Sequence, residues 1–363
     1  MKFIMAGGGT GGHVIPLIAV ARELTRLGHE AVFVGTDRGV ESRLVPAAGF
    51  RLEKLRVSGL KNLGMATRLV SLWRLVVETF RLFFRFGDWE PAGVLSLGGY
   101  VAGPPVLAAL ARGIPLVVME PNAVPGVTNR WISRLVHRAL VNFEETAKFF
   151  PPHKTERTGV PVRAEFFGLQ DKEPGAEFTV VITGGSQGSR SLNEAARASW
   201  PLFAASGLPV RLVHQTGAAM QPEMSTAFAK SGLPGSVDAF LNDMPSAFEQ
   251  ADVVVSRSGA GTTAELAAAG KPSILVPFPF AADDHQTANA RAMERAGAAL
   301  VCPDREWTGE RFFETVSDLY RQRERLAGMG AAARTLAYPA AARRAAEILL
   351  ESVDKARASR NNK

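Results

Sequence analysis

The chain has 363 residues, of which 46% are apolar and 21% charged, and its formal net charge is +7. This length exceeds the size to which one hydrophobic core usually grows, so we expect two domains and little disorder. The single cysteine, Cys302, excludes an intrachain disulfide and favours a reducing, cytosolic compartment. We expect neither a secretory signal nor a membrane-spanning helix, because no long charge-free apolar stretch is present.

The basic charge is concentrated in the N-terminal half. Residues 1–160 carry 20 Lys and Arg against 12 Asp and Glu, and the remainder carries 22 against 23, so the two parts have charges of +8 and −1. No aromatic-basic nucleic-acid motif accompanies the basic half. We therefore expect anionic lipid or phosphate, and not DNA or RNA, as its partner.

The first predicted elements are a strand, a glycine turn and a helix. The strand "KFIMA" leads into five glycines between Gly7 and Gly12, and His13 opens a stretch with apolar residues at helical spacing. The glycines fit G-x-G-x-x-G, and Asp37 follows the next strand, as in dinucleotide-binding folds. This motif alone is weak, because a turn that only packs a helix on a strand also uses glycine.

The next notable element is an amphipathic helix predicted over Thr67–Phe86. Its polar residues form one narrow stripe, and almost every other position is apolar. Two interpretations remain open: the helix is wedged between other helices, or it presents an aromatic and basic patch to the lipid interface, which the basic half favours. The stripe consists of Thr67, Ser71, Arg74, Glu78, Arg81 and Arg85.

Short buried strands then alternate with helices, and the pattern restarts after a boundary near Gly159–Arg163. The alternation predicts parallel sheets. A second strand, glycine turn and helix begins at "FTVVITGGSQGS", with the turn at Gly184–Ser189. Two such turns suit two substrates that each carry a diphosphate, whereas a dehydrogenase needs only one. The other predicted strands are "AVFVGT", "GVLSLGG", "PLVVME", "RALVN", "VRLVHQTG", "DVVVSRSG" and "SILVPFP".

Several spaced motifs resemble the MurG family of bacterial glycosyltransferases. They are "GGGTGGHVIP", "SLGGYVAGP", "PGVTNRW", "GVPVR", "GGSQGSRSLN", "SRSGAGTTAELAAAGKPSILVPFP" and "DDHQTANA", and they extend from Lys2 to about Gly297. The resemblance implies an α/β GT-B fold, in which two Rossmann-like domains have parallel sheets facing a central cleft. We expect an acceptor and membrane-associating domain at residues 1–160, a UDP-sugar domain at 161–340, and a C-terminal helix and basic tail at 341–363 that packs back on the first domain.

The resemblance also implies a reaction. Members move N-acetylglucosamine from UDP-N-acetylglucosamine to the C4 hydroxyl of lipid I, the undecaprenyl-pyrophosphoryl-N-acetylmuramyl-pentapeptide, with inversion, and so form lipid II for peptidoglycan. The implied partners are these two substrates, the anionic cytoplasmic surface of the plasma membrane and other cell-wall enzymes. We expect no cofactor and no metal site, since the sequence contains no Asp-x-Asp pair.

Carried over to this sequence, the donor site comprises a phosphate turn, a base contact, a helix start and a sugar-binding pair. Ser186 is expected at a phosphate, the Leu241 backbone at the uracil edge and Glu265 at the ribose hydroxyls. Asn122 and Arg163 are expected to reach the site from the first domain and the junction. The remaining donor residues are Ala260, Gly261, Thr262, Thr263, Ala264, His285 and Gln286.

The acceptor side is expected at Thr10, Gly11, Gly12 and His13, beside the basic loop of residues 56–64. His13 is the first candidate for the general base, because a helix start disfavours the protonated ring, and Glu120 is the second. A His13 that only hydrogen-bonds backbone or acceptor remains an alternative.

The chain departs from the family pattern at Met119, Pro121 and Val160. Other readings are a sugar-nucleotide epimerase, a different GT-B transferase and a catalytically silent lipid-binding protein.

Overall fold

The computed structural model describes residues 1–59, 64–173, 175 and 177–361, and the chain divides into two compact units. Unit 1 consists of Met1–Val162 and Tyr338–Lys363, and unit 2 of Arg163–Ala337. Each unit contains one parallel sheet with helices on its faces, so the predicted α/β class with two Rossmann-like sheets is confirmed. Among the described residues, no helix combines the length and the apolar character that crossing a membrane requires.

The two sheets hold thirteen strands among the described residues. They are β1 Lys2–Ala6, β2 Glu30–Thr36, β3 Arg51–Leu55, β4 Gly93–Ser96, β5 Leu116–Glu120, β6 Arg138–Val141, β7 Thr155–Arg157, β8 Phe178–Thr183, β9 Val210–Gln215, β10 Gly235–Asp238, β11 Val253–Ser256, β12 Ser273–Leu275 and β13 Ala299–Val301.

Helices connect most of these strands. They are α1 Gly11–Arg26, α2 Glu41–Ala47, α3 Met65–Trp89, α4 Gly103–Ala111, α5 Val127–Ile132, α6 Arg190–Ser206, α7 Gln221–Ala229, α8 Met244–Gln250, α9 Ala260–Ala269, α10 His285–Arg295, α11 Gly309–Arg321, α12 Arg323–Arg334 and α13 Ala341–Asn361. Short 3-10 turns lie at Tyr100–Ala102, Glu144–Phe149, Pro152–Lys154, Ala164–Gly168, Ala282–Asp284 and Asp304–Glu306.

The strand order is that of a doubly wound sheet in both units. Unit 1 has the order β3-β2-β1-β4-β5-β6-β7, and unit 2 has β10-β9-β8-β11-β12-β13. In each sheet the direction of winding reverses beside the first strand, between β1 and β4 and between β8 and β11. Ligands of such folds bind beyond the carboxyl ends of the strands at this point.

The sequence patterns identify the interior strands and miss the edges. All nine predicted strands form, whereas β3, β7, β10 and β13, which the patterns missed, are the four edge strands. Edge strands are short and tolerate polar residues, as in "RLEKL" and "GSVD", so they carry little apolar signal.

Two apolar layers cover the faces of the first sheet. One contains buried side chains of α1 and α13, and the other contains buried side chains of α3, α4 and α5. The last helix is therefore part of the unit 1 core, where Ile348 and Leu349 are fully buried. Unit 2 has one core cluster, to which the buried Cys302 belongs.

Helix α3 turns most of its polar stripe inward, whereas Thr67 and Arg74 of the stripe are exposed. Ser71 and Glu78 are buried, and the Glu78 carboxylate accepts a hydrogen bond from the Arg56 backbone at 3.1 Å. Arg81 and Arg85 both pair with Glu53 of β3. The opposite, apolar face is exposed, with Trp73 at 68% and Phe84 at 67%.

Candidate functional site

The predicted residues of unit 1 lie at the carboxyl ends of β1 and β5, on either side of β4. The turn after β1 leads into α1, and the turn after β4 contains Gly98 and Gly99, which both have positive φ angles. A side chain added at Gly99 would lie 3.5 Å from the His13 ring, and one at Gly98 would lie 3.0 Å from the Asn129 side chain. The turn after β1 and the turn after β4 are thus neighbours at the point where the winding of the first sheet reverses.

An internal carboxylate, which sequence reasoning missed, occupies part of the first glycine turn. Glu41 accepts hydrogen bonds from the backbone of Gly9 at 2.8 Å and of Thr36 at 2.9 Å, and from the Thr36 hydroxyl at 2.7 Å. Burial alone would raise the pKa of Glu41, but the hydrogen bonds from Thr36 and Gly9 outweigh it and lower the pKa. A side chain at Gly8 would lie 2.5 Å from this carboxylate, so it would displace Glu41 from its present position.

His13 lies in the first turn of α1. Its Nδ1 is 3.2 Å from the Gly8 carbonyl oxygen. Because a carbonyl only accepts, the contact places the proton of the neutral ring on Nδ1 and the lone pair on Nε2. Thr10 precedes the helix, and its side chain makes no capping hydrogen bond. Within the described residues, the amides of Gly11 and Gly12 have no hydrogen-bond acceptor.

Glu120 ends β5 and is buried. Its Oε1 accepts from the Asn122 backbone and side chain at 3.0 and 3.1 Å, and its Oε2 accepts from Gly126 at 3.1 Å and Asn129 at 2.9 Å. Burial raises the pKa of Glu120, and the bonds from Asn129, Asn122 and Gly126 oppose this shift. Both carboxylate oxygens serve the loop 121–126, an arrangement that favours a positioning role.

In unit 2, two helix starts flank the switch point between β8 and β11. The turn Gly184–Ser189 joins β8 to α6, and Gly259 precedes α9. Ser186, within the turn Gly184–Ser189, is exposed. Gly188 has φ +74°, and a side chain there would lie 1.9 Å from the Thr216 carbonyl, so the turn is pressed against the end of β9. Helix starts of this kind favour anions.

The α9 start contains the predicted segment from Ala260 to Glu265. No side chain caps this helix, so the first amides, at Ala260, Gly261 and Thr262, point out of its N-terminus. Thr263 is buried and donates to the Ala260 carbonyl at 3.1 Å, while Ala264 is half-buried.

Glu265 and Arg163 come together within unit 2. Arg163 Nη2 is 3.6 Å from Glu265 Oε1, and the Glu265 side chain is 22% exposed. Burial raises the pKa of Glu265 to about 7, while the charge of Arg163 and its hydrogen bond act in the opposite direction. The Arg163 guanidinium also stacks 4.9 Å from the centre of the Phe166 ring.

The predicted sugar-binding pair lies at the start of α10. His285 Nδ1 is 2.6 Å from the Ala282 carbonyl, and Gln286 Oε1 accepts from the Phe278 backbone at 3.0 Å. Asp283 and Asp284, just before the helix, both have positive φ angles, a backbone conformation that costs free energy in residues with side chains. Ser258 donates to the Gln286 carbonyl at 2.8 Å and thereby ties this turn to the α9 start.

Two polar side chains that sequence reasoning missed hold these segments together. Gln215, at the end of β9, accepts from the Leu241 backbone at 2.9 Å and donates to Gly185 at 2.8 Å. Arg257 donates to Asp304 at 2.6 Å, to Ser191 at 2.7 Å and to the Val276 carbonyl at 3.0 Å. Their only sequence signal was their place directly at or after a strand end, in "HQTG" and "SRSG". In the part of the chain that the structure describes, no group of His, Cys, Asp and Glu is arranged to hold a metal ion.

Comparison with known proteins gives matches along both units. The glycosyltransferase family 28 N-terminal domain matches residues 3–141, and the C-terminal domain of the same family matches residues 179–346. A Solibacter usitatus protein named UDP-N-acetylglucosamine–N-acetylmuramyl-(pentapeptide) pyrophosphoryl-undecaprenol N-acetylglucosamine transferase is 58% identical over 350 residues, covering 96% of each chain. A Myxococcus xanthus protein of the same name is 41% identical, with 97% of this chain and 93% of the relative covered.

Solved structures match over nearly the whole length. The crystal structure of Acinetobacter baumannii MurG has a TM-score of 0.80 and 30% identity, and the match covers 96% of this chain and 99% of that one. A UDP-GlcNAc 2-epimerase from Neisseria meningitidis bound to UDP-GlcNAc has a TM-score of 0.70 at 14% identity, with coverage of 97% and 100%. The epimerase likeness concerns the fold alone.

Proposed function

The chain belongs to glycosyltransferase family 28, and we propose that it transfers N-acetylglucosamine from UDP-N-acetylglucosamine to the C4 hydroxyl of lipid I, giving lipid II. The observation that carries this proposal is the 58% identity to the Solibacter transferase across 96% of both chains. The match extends over nearly the whole length of both chains. The enzyme is then a hexosyltransferase of peptidoglycan synthesis with a GT-B fold.

Unit 2 holds the donor in this proposal. The diphosphate lies against the turn Gly184–Ser189 and the α9 start, where Ser186 and backbone amides donate hydrogen bonds. The Leu241 backbone contacts uracil, Glu265 accepts from the ribose hydroxyls, and His285 and Gln286 bind the sugar. As the bond between C1 and the UDP oxygen breaks, the positive ends of α6 and α9 stabilise the charge that develops on UDP.

Unit 1 holds the acceptor. The Thr10–His13 segment receives the reacting sugar, and Asn122 is assigned to substrate binding near the loop that Glu120 holds. The C4 oxygen attacks C1 of the donor sugar from the face opposite UDP, which inverts the anomeric configuration. The proton of the hydroxyl passes to His13 Nε2, because Nδ1–H is directed at the Gly8 carbonyl.

A cavity beside the first glycine turn supports the acceptor assignment. It has a volume of about 810 Å³ and is lined by Arg38, Arg56, Arg74, Trp73 and Tyr100 among others. Tyr100 lies against Gly9, 3.8 Å from a side chain built there. A lipid-linked sugar diphosphate needs cationic groups next to an apolar surface, and this cavity offers both. Residues 60–63 of the adjoining basic loop lie outside the described residues.

We further propose that α3 holds the enzyme at the cytoplasmic face of the membrane as a peripheral protein. Its exposed apolar side chains are Leu69, Val70, Leu72, Trp73, Val76, Val77, Phe80 and Phe84. Arg68 and Arg74 are exposed on the same helix and are suited to anionic head groups. A lipid-linked acceptor requires the enzyme to work at this surface.

The experiment that tests the proposed function measures UDP release from UDP-N-acetylglucosamine with lipid I present or absent. We expect release only when both substrates are present, since transfer consumes the acceptor hydroxyl. An epimerase would alter the donor without acceptor, and a silent lipid-binding protein would release no UDP in either case. Either of these outcomes would contradict the proposal.

A further inference from the structure

We propose that Gln215 positions the nucleotide site of unit 2 by holding the phosphate turn and the base-binding segment in one fixed arrangement. The inference rests on the proposed function, because it takes the UDP part of the donor as the ligand. In this proposal the buried Gln215 carboxamide fixes the spacing of two segments of the site, one at the phosphate end of the nucleotide and one at the base end.

The geometry of Gln215 connects three separate segments. Gln215 is the last residue of β9 and is 1% exposed. Its Oε1 accepts from the Leu241 backbone at 2.9 Å, on the segment after β10. Its Nε2 donates to the Gly185 carbonyl at 2.8 Å, in the glycine turn, and to Thr183 Oγ1 at 3.3 Å, at the end of β8.

Among uncharged side chains, only a carboxamide of this length both accepts the hydrogen bond from Leu241 and donates one to Gly185. The acceptor and the two N–H groups of Gln215 lie on the same planar group, so the Leu241 and Gly185 backbones are fixed relative to each other. The turn itself is tied further, because Gly188 donates to the Gly185 carbonyl at 2.9 Å. A neutral side chain also adds no repulsion toward a diphosphate bound at this turn.

The arrangement has a consequence for base selection. The Leu241 N–H is already donated to Gln215, whereas the Leu241 carbonyl accepts no hydrogen bond from the described residues. In this proposal the Leu241 carbonyl, an acceptor, faces the base. Uracil presents an N3–H donor to it, whereas cytosine presents an N3 lone pair, which a carbonyl repels. Gln215 thus contributes to the preference for uracil by deciding which backbone group faces the base.

The test compares Gln215→Met with a matched variant, Lys271→Met, in the full-length chain. Lys271 is also buried and also bonds backbone carbonyls, those of Glu249 and Ala251 at 3.1 and 3.2 Å, but it precedes β12 at the opposite end of the sheet. Calorimetric titration measures the Kd for UDP and for CDP, and steady-state kinetics measure KM for the donor and kcat.

We expect Gln215→Met to raise the Kd for UDP and the donor KM by at least about tenfold, since the Leu241 N–H loses its acceptor and the Gly185 carbonyl keeps only the bond from Gly188. The preference for UDP over CDP falls, while kcat at saturating donor changes by less than about threefold. Lys271→Met keeps the UDP affinity of the parent within about twofold, even where it lowers Tm.

A second variant keeps the proposal testable if Gln215→Met does not fold. Gln215→Glu preserves the shape and an acceptor for the Leu241 N–H but offers no hydrogen to Gly185 when ionised, so UDP binding is expected to weaken. Unchanged UDP affinity in the folded Gln215 variants, or an equal loss in Lys271→Met, would overturn this role. A parent chain that does not bind UDP would contradict the proposed function as well.

Discussion

His13 and Glu265 are the two titratable side chains on which the proposed chemistry depends most. The Gly8 carbonyl orients the His13 ring, and burial raises the pKa of Glu265 to about 7. Each lies beside a group of its own unit, Gly99 for His13 and Arg163 for Glu265. Their proposed roles are separable, since His13 is assigned to the acceptor proton and Glu265 to the donor ribose.

Replacement of His13 tests the general base. We expect His13→Ala to lower kcat by about 10²- to 10⁴-fold, because the C4 hydroxyl loses its proton acceptor, with donor KM nearly unchanged. His153→Ala, at an exposed position of the same unit, is the control and should retain parental kcat. A loss of less than about tenfold in His13→Ala would remove His13 from the role of base.

The raised pKa of Glu265 predicts a pH-dependent donor affinity. The ionised carboxylate accepts from two hydroxyls, so the Kd for UDP-N-acetylglucosamine, whose diphosphate has no group titrating here, should fall by about five- to tenfold between about pH 6 and pH 8. Glu265→Gln should weaken binding and abolish this dependence. Calorimetry across this range checks both, and a parental Kd that does not change with pH would contradict the prediction.

The same shift has a defined sign for stability. The unfolded chain ionises Glu265 near the ordinary value of 4.5, whereas the folded chain does so near about 7. Between these values the folded state binds more protons, so this group's stabilising contribution is fully present below pH 4.5 and is lost as the pH rises to about 7. Urea denaturation of the parent and Glu265→Gln measures the difference.

Among the secondary-structure elements, α3 has the least usual packing. Its polar stripe faces the protein because Glu53, Ser58 and the Arg56 amide supply partners for Arg81, Ser71 and Glu78. Leu82 and Phe86 are buried, whereas Trp73, Phe80 and Phe84 lie on the outside. Trp73 and Phe84 are 68% and 67% exposed, which supports the proposed membrane contact of this face.

Charge placed on this helix face should abolish vesicle binding. We expect Trp73→Asp with Phe84→Asp to lower co-sedimentation with anionic vesicles by at least about tenfold, because the carboxylates cannot enter the lipid interface. Phe280→Asp, at an aromatic residue of unit 2 that is 84% exposed, serves as the control and should bind vesicles normally. Unchanged binding of the double variant would contradict the proposed membrane contact. Phe83 is less suitable, since it is half-buried and lies against Arg112.

Across the whole molecule, the chain leaves unit 1, builds unit 2 and returns. Helix α13 places Ala345, Ile348 and Leu349 in the core of unit 1, and Arg344 pairs with Glu156 of β7 at 2.6 Å. The last helix therefore stabilises the first domain, although 175 residues of unit 2, Arg163–Ala337, separate them in the chain.

Truncation after Ala337 should therefore damage unit 1. We expect the shortened chain to lose the unfolding transition of unit 1, alone or together with that of unit 2, or to become insoluble. The reason is that the truncation exposes the apolar layer under α13. A chain ending at Ala358, which retains the buried residues of α13, is the control. Differential scanning calorimetry distinguishes the two, and a truncated chain with parental transitions would refute the dependence.

Sequence patterns predicted the interior of both sheets and the two glycine turns, because buried parallel strands read as apolar runs and strand-to-helix turns require glycine. They did not predict Glu41, Gln215 or Arg257. Each of these side chains acts through partners far away in the chain, such as Gly9 for Glu41 and Leu241 for Gln215. Periodicity is a local signal and contains no information on such pairings. It also left open which face of α3 points outward.

The central claim is that this chain joins a donor sugar to a lipid-linked acceptor. Incubation of the full-length chain with radiolabelled UDP-N-acetylglucosamine and lipid I, followed by solvent extraction of the lipid, tests it most directly. We expect label in the lipid fraction as a disaccharide with inverted anomeric configuration, only when lipid I is present. Label that stays in the aqueous fraction would contradict it.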